Sequence, residues 1–394
     1  MRYRFGDHAL DPQNFELSEN GVAVAMEPQV FSLLLLLIEN RERVVTKDEL
    51  IDKVWNGRIV SEATLSSRIS AARKAVGDSG ATQSVIRTIP RRGFRFIASV
   101  DPDTVPATNP GSAAATVAQG IRFCTAPDGT DLPYAAAGSG PTLVKVANWL
   151  NHLEHDWSSP MWGPLFREVA SYRKLLRYDS RGVGLSDWNV ENIDYGSFML
   201  DFETVIDTAE DEPFALLGIS QGAAIAVDYT ARHPERVTHL ILWGGFSRGR
   251  RMRGNAENIA ESEAFLTLMR QGWGQETSLF RDMFAALYLP DATDEQIGWW
   301  SDMQRIATSA ENAVRMREAI DNIDVGDRLA QISVPTLIVH SEGDLVAPIS
   351  EARYMAARIP NAQFVVLDST NHMVMSQEPA WRRAVDEIRA FLVD

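Results

Sequence analysis

A chain of 394 residues, 45% hydrophobic and 23% charged, is long enough for two domains with separate cores, and its composition excludes intrinsic disorder. Its longest apolar run, residues 33–38, falls far short of the roughly 20 residues that span a bilayer, the first residues lack a signal-peptide hydrophobic stretch, and a single cysteine, Cys124, excludes a disulfide framework and reads as a small apolar strand residue. The net charge of −15 hides a division: residues 1–100 carry 14 Lys and Arg against 12 Asp and Glu, the remainder 24 against 41, and within 61–100 bases outnumber acids 7 to 2, the local excess that a phosphate-facing surface requires.

The order before residue 100 is strand, three helices, strand hairpin. Segment 27–43 predicts a helix with Phe31, Leu34, Leu35 and Ile38 on one face, and Thr46 caps a second that turns Leu50, Val54 and Trp55 inward. A third helix opens at Ser61. In SEATLSSRISAARKAVGD, Leu65, Ile69, Ala72 and Val76 share one side, while Ser67, Ser70, Ala71 and Lys74 share the other, flanked by Arg68 and Arg73. Small side chains let a helix lie deep in a major groove, and long cations reach phosphates or guanine edges. IRTIPRRGFRFIA predicts two short strands with Arg91 and Arg92 at the turn.

With fold order, helix and hairpin together, residues 2–99 resemble the winged-helix effector domain of OmpR/PhoB-class response regulators. That family reads the major groove with its third helix and touches the minor groove with its wing. The resemblance implies double-stranded DNA as partner and contact roles for Ser67, Arg68, Ser70, Ala71, Arg73, Lys74, Arg91 and Arg92. No receiver domain precedes it here, so a histidine kinase is not the expected input. Residues 101–120, rich in Pro, Gly and Ala without apolar periodicity, read as a linker between domains at 1–100 and 121–394.

Past the linker, a hairpin at 121–137 precedes core strands at 143–147, 174–178, 214–219, 238–243, 335–340 and 363–367, most separated by helices, the pattern of a mostly parallel sheet covered on both faces. The strand FALLGI runs into Gly218-Ile219-Ser220-Gln221-Gly222 and then a helix, which is a nucleophile elbow in its proper context. A serine attacks only when held exposed near a base and near donors for the developing oxyanion. Gln221 offers a main-chain N–H at the helix start. Acid and histidine are expected on loops after later strands: Asp344 follows PTLIVH, with Glu342 as rival, and His372 follows AQFVVL. His340, His233 and His239 read as structural.

The loop RYDSRGVGLSDW at 177–188 adds the D-x-R-G-x-G-x-S landmark, and residues 121–394 resemble the α/β-hydrolase superfamily, more narrowly the hydrolase-like modules that bacteria fuse to cyclase or transcription-factor domains. Where many members carry His-Gly after the first core strand, this chain has Asn148-Trp149. The resemblance assigns the second oxyanion amide to Leu150 or Trp149, with the indole expected to reshape the hole. It also places a helical cap at about 247–324, rich in aromatic and Met residues, over a small-molecule pocket. The run Arg248, Arg250, Arg251, Arg253 reads as a solvated loop, with an anion gate as the alternative. His152, His155 and Asp156 have a helical metal-ligand spacing without a fourth ligand, so neither metal nor cofactor is expected.

The expected architecture is a winged helix-turn-helix of α+β type followed by an α/β-hydrolase fold, a mostly parallel doubly wound sheet with a helical cap. The expected protein is a cytoplasmic, homodimeric, DNA-binding regulator that does not enter membranes and whose hydrolase-like domain senses, and hydrolyses, a small ester or lactone. The alternative is an active serine hydrolase of esterase or lactonase type with an auxiliary DNA-binding domain. A pure interaction scaffold has no reason to keep Ser220, Asp344 and His372 together.

Overall fold

The structure, a computed structural model, describes residues 3–11, 16–19, 22–24, 26, 28–41, 43–55, 62–80, 82–89, 92–98, 100–102, 119–273, 275 and 279–393. It divides into two compact units, Met1–Ser112 and Ala113–Asp394.

In the first unit β1 (Tyr3–Phe5), β2 (His8–Asp11), β3 (Glu16–Glu19) and β4 (Val22–Val24) form an antiparallel meander. Helices α1 (Pro28–Glu39), α2 (Lys47–Trp55) and α3 (Glu62–Ala75) follow, then the hairpin of β5 (Ile86–Ile89) and β6 (Gly93–Phe96). Phe31, Leu34 and Ile38 of α1 meet Leu65, Ile69 and Ala72 of α3 in a core closed by Phe96, so the apolar spacing on each helix does set which face is buried. Thr46 Oγ1 accepts the Glu49 N–H at 3.1 Å and caps α2. Asp101 and Pro102, counted with the linker on composition, instead form β7, pairing antiparallel with β1 at the sheet edge; β1 supplies the backbone partners, which composition does not reveal.

The wing is fastened by one glycine. Gly93 sits at φ +143°, and a Cβ there would lie 2.0 Å from the Val45 carbonyl oxygen, in a place where Val45 and Phe94 exchange two 2.9 Å main-chain hydrogen bonds. Gly93→Ala is expected to cost about 2–3 kcal/mol through backbone strain and the lost pairing, measured as a lower thermal midpoint for the first unit.

The second unit is built on an eight-stranded sheet. After β8 (Gly120–Thr125) and β9 (Asp131–Ala137), which pair antiparallel, come the parallel strands β10 (Thr142–Lys145), β11 (Lys174–Tyr178), β12 (Phe214–Ile219), β13 (Val237–Trp243), β14 (Thr336–Ser341) and β15 (Gln363–Leu367). Their order is β15-β14-β13-β12-β10-β11-β9-β8. Every residue of β10, β12 and β14 is buried, which is why these segments read as continuous apolar runs rather than alternating ones.

Helices α4 (Leu153–Ser158), α5 (Trp162–Ala170), α6 (Tyr195–Ala209) and α7 (Gly222–Arg232) connect the first strands. Four more, α8 (Ala256–Gly272), α9 (Leu279–Tyr288), α10 (Asp294–Ala307) and α11 (Ala310–Asp321), are inserted between β13 and β14; α12 (Ile349–Ala356) and α13 (Pro379–Phe391) complete the unit. The chain order reverses beside β10, the point where an open parallel sheet leaves a crevice at its carboxyl edge. Among the described residues no helix is long and apolar enough to cross a membrane.

Candidate functional site

Ser220 occupies the turn between β12 and α7 at φ +54°, a left-handed backbone for a non-glycine residue. The turn is this tight because its neighbours are bare: a Cβ on Gly218 would lie 2.6 Å from Ala223 Cα, and one on Gly245 would lie 2.3 Å from Ala223 Cβ. The Ser220 N–H donates to Trp243 O at 3.1 Å, holding the turn against β13.

From loops after β15 and β14, two further side chains reach this serine. His372 Nε2 lies 2.9 Å from Ser220 Oγ, and His372 Nδ1 lies 2.7 Å from Asp344 Oδ2. Asp344 Oδ1 accepts the Val346 and Ala347 N–H groups at 2.8 and 3.0 Å. Burial alone pushes the Asp344 carboxyl up, but the His372 ring, His340 and these donors outweigh it and hold it below the ordinary carboxylate value. An imidazole so placed can take the hydroxyl proton while the carboxylate stabilises the cation that forms. Glu342, the rival acid, is exposed.

The other histidines lie elsewhere. His340 Nε2 donates to Ala347 O at 2.7 Å, buried behind Asp344. His233 sits beside Glu235, and His239 meets the Phe391 ring edge-on. His152 Nδ1 accepts the His155 N–H at the head of α4, His155 stacks on Trp299 at 4.6 Å, and Asp156 accepts the His152 N–H.

The N–H groups of Gln221, Trp149 and Leu150 engage no acceptor among the described residues. Leu150 is fully buried at φ +56°, a conformation that turns the loop after β10 sharply. Asp179 pins this loop to the D-x-R-G-x-G-x-S segment, accepting the N–H of Leu153 at 3.2 Å and of Leu185 at 2.9 Å. The Trp149 indole runs into the inserted helices, stacking on Trp273 and meeting Phe284 edge-on at 5.2 Å. Tyr288, at the end of α9, presents its ring edge-on to His372 and accepts the His372 N–H at 2.9 Å through its carbonyl. Ser220, Gln221 and His372 thus open into a cavity walled by Trp149, Trp162 and Trp300, of about 20 Å³, enough for about one water.

The same cavity corrects the reading of the basic run. Arg250–Arg253 is a 3-10 turn beneath the inserted helices, entered through Gly249, where a Cβ would lie 2.3 Å from Ile320 O. Arg248 pairs with Glu351 at 2.7 Å, and Arg251 pairs with Glu263, whereas Arg250 and Arg253 turn into the cavity and are joined there by Arg317 of α11. No sequence signal separates these from solvated arginines, because their inward turn depends on α11 packing against that 3-10 segment.

On the first unit, Ser67, Ser70 and Lys74 are exposed along α3, Arg68 and Ala71 are half-buried, and Arg92 is exposed at the wing turn; Ser61 and Arg91 lie outside the described residues. Arg73 does not join them. It is only 6% exposed and donates to Ile86 O at 3.0 and 2.7 Å and to Thr88 Oγ1 at 2.8 Å, because β5 brings an open carbonyl within reach of the last turn of α3. Its role is to join helix to wing. Asp78 is the residue that sequence reasoning passed over; its signal is Gly77 at φ +65° ending α3, followed by an acid and hydroxyl residues.

Comparison with known proteins covers both units. The alpha/beta hydrolase fold family matches residues 150–379, and the family described as transcriptional regulatory protein, C terminal, matches residues 21–96. Over 252 residues the chain is 25% identical to the pyrrolizixenacetamide deacetylase of Xenorhabdus hominickii, spanning 62% of this chain and 89% of that protein. Over 98 residues it is 33% identical to the transcriptional activator CadC of Escherichia coli (strain K12), spanning 25% of this chain and 19% of CadC. An esterase (EaEST) structure from Exiguobacterium antarcticum aligns with a TM-score of 0.59 at 23% identity over 69% of this chain and 99% of the esterase, a likeness of fold. With one match spanning more than half of the sequence, over the elbow and the loops that carry its acid and histidine, the chain belongs to the alpha/beta hydrolase fold family and joins to it an OmpR/PhoB-type DNA-binding domain.

Proposed function

We propose that the chain is a cytoplasmic, homodimeric transcriptional regulator whose hydrolase-fold domain recognises a small ester- or lactone-type compound and attacks it through Ser220. The observation that carries this reading is the unbroken line from Ser220 Oγ through His372 to Asp344, at 2.9 and 2.7 Å. In the reaction, His372 Nε2 takes the hydroxyl proton as Oγ adds to the carbonyl carbon. The Gln221 amide, with that of Leu150 or Trp149, receives the oxyanion. His372 then returns the proton to the leaving oxygen, and water repeats the sequence on the acyl-serine. The narrow cavity supports the sensing part: it holds about one water, so an organic ligand enters only as side chains of its wall move aside, and binding is coupled to a change of conformation.

Treating the whole chain with a fluorophosphonate probe tests the chemistry. Labelling is expected, and it is expected to vanish in Ser220→Ala; an unlabelled native chain removes the acyl-transfer reading. DNA binding is tested by recovering sheared genomic fragments on the chain at low salt. Lys74→Ala combined with Arg92→Ala is expected to weaken binding about 10-fold at moderate salt and to lower the slope of log K against log salt by about 2. Absence of any DNA affinity overturns the regulator. Binding that ignores every hydrolysed compound favours a serine hydrolase with an auxiliary DNA-binding domain.

A further inference from the structure

We propose that the cavity over Ser220 takes a carboxylate-bearing ligand, an acyl compound whose anionic end is held by Arg250, Arg253 and Arg317 while its carbonyl faces the serine. This deepens the reading of Ser220 as nucleophile and rests on it for turnover, though not for binding. All three arginines line the cavity with Ser220 and His372; of the acids whose charge reaches them, Glu261 is exposed, and Asp321 and Glu351 are already engaged. Arg317 Nη2 pairs with Asp321 at 2.7 Å, and the other oxygen of Asp321 accepts the Ser262 hydroxyl at 2.6 Å. Glu351 is held by Arg248 through contacts of 2.7 and 3.4 Å; Arg253 stands 4.0 Å from it and donates to Arg248 O.

Arg250 is left over. It is 8% exposed, yet among the described residues it makes no hydrogen bond or ion pair, and its guanidinium faces the Phe265 ring at 5.8 Å and the cavity. A buried cation without a partner is costly unless something supplies the opposite charge. A planar fork of N–H donors beside a second guanidinium matches a carboxylate, which accepts two parallel hydrogen bonds. The remaining walls, Trp162, Phe246 and Trp300, offer apolar contact. The ligand that satisfies both ends is therefore a short chain with a carboxylate at one end and an ester, lactone or amide carbonyl at the other.

Two measurements on the full chain separate this inference from the reading it builds on. In the Ser220→Ala variant, titration calorimetry with glutarate and with glutaramide is expected to show the dianion binding about 10-fold or more tightly. Arg250→Gln is expected to abolish that preference and Arg250→Lys to retain part of it. In the native chain, kcat/KM for mono-4-nitrophenyl glutarate is expected to exceed that for 4-nitrophenyl butyrate by about 10-fold, the ratio falling toward 1 in Arg250→Gln whatever the absolute rates. Equal binding of glutarate and glutaramide, or a preference that survives Arg250→Gln in a folded chain, overturns the inference. Selective glutarate binding without ester turnover upholds it and removes only the hydrolytic reading.

Discussion

Replacing Asp344 by Asn is expected to lower ester turnover, and the rate of fluorophosphonate labelling, by about 10⁴-fold while leaving the fold in place. The reason is a proton count. Asp344 Oδ1 accepts two main-chain N–H groups, from Val346 and Ala347, and Oδ2 accepts from His372 Nδ1. An asparagine keeps the two main-chain bonds by placing its carbonyl oxygen there, which turns its amide NH₂ toward His372. Nδ1 must then accept, its proton moves to Nε2, and Nε2 can no longer take the hydroxyl proton of Ser220. The size is unchanged, so unfolding curves of the two proteins should nearly coincide. A labelling rate within about 10-fold of the native one would show that Asp344 does not set the tautomer of His372.

The second large effect belongs to the first unit: Asp78→Ala is expected to destabilise it by on the order of 4 kcal/mol, a large part of what a small domain possesses. Oδ1 of Asp78 accepts the N–H of Ser79 and Ser84 at 2.7 and 2.9 Å and the hydroxyls of Thr82 and Ser84 at 2.8 and 3.1 Å; Oδ2 accepts the N–H of Val85 and Ile86 at 3.0 and 2.9 Å. Truncation leaves the buried Ile86 N–H and the half-buried Val85 N–H without an acceptor and releases the four other donors to water. They lie in the loop that carries α3 into the wing, so DNA affinity is expected to fall with stability.

The pH dependence of that unit follows from the same carboxyl. Burial alone would raise its pKa, but the N–H groups of Ile86, Ser84 and Val85 prevail and hold it well below the ordinary value of 3.8. A depressed folded pKa means that the stabilisation is complete above the unfolded value and is lost as pH falls through the folded one. Acid unfolding below about pH 4 should therefore be steeper in the native chain than in Asp78→Asn, as circular dichroism of the isolated transitions would show. Equal acid sensitivity of the two would remove Asp78 from this role.

The sequence by itself determined the parts that local rules govern. Two units follow from the shift of pattern around residue 100, and the elbow from a strand, a G-x-S-x-G turn and a helix read in one line. Asp344 and His372 followed from strand ends, since a parallel sheet delivers every post-strand loop to one edge. The helix face with Ser67, Ser70 and Lys74 came from 3.6-residue periodicity alone.

Tertiary structure decided whatever depends on a neighbour distant in the chain. Arg73 looked like a groove-facing cation until the Ile86 carbonyl, 13 positions away, claimed it. For Arg250 and Arg253 the sequence favoured a solvated loop over an anion gate, and only α11, by bringing Arg317 beside them in one cavity, turned the balance. β7 exists because β1 offers it an edge, and the reach of Trp149 into the inserted helices depends on where Trp273 and Phe284 stand. A charged or aromatic side chain has the same local signature in solvent as inside a site, and only the groups packed around it in the fold distinguish the two.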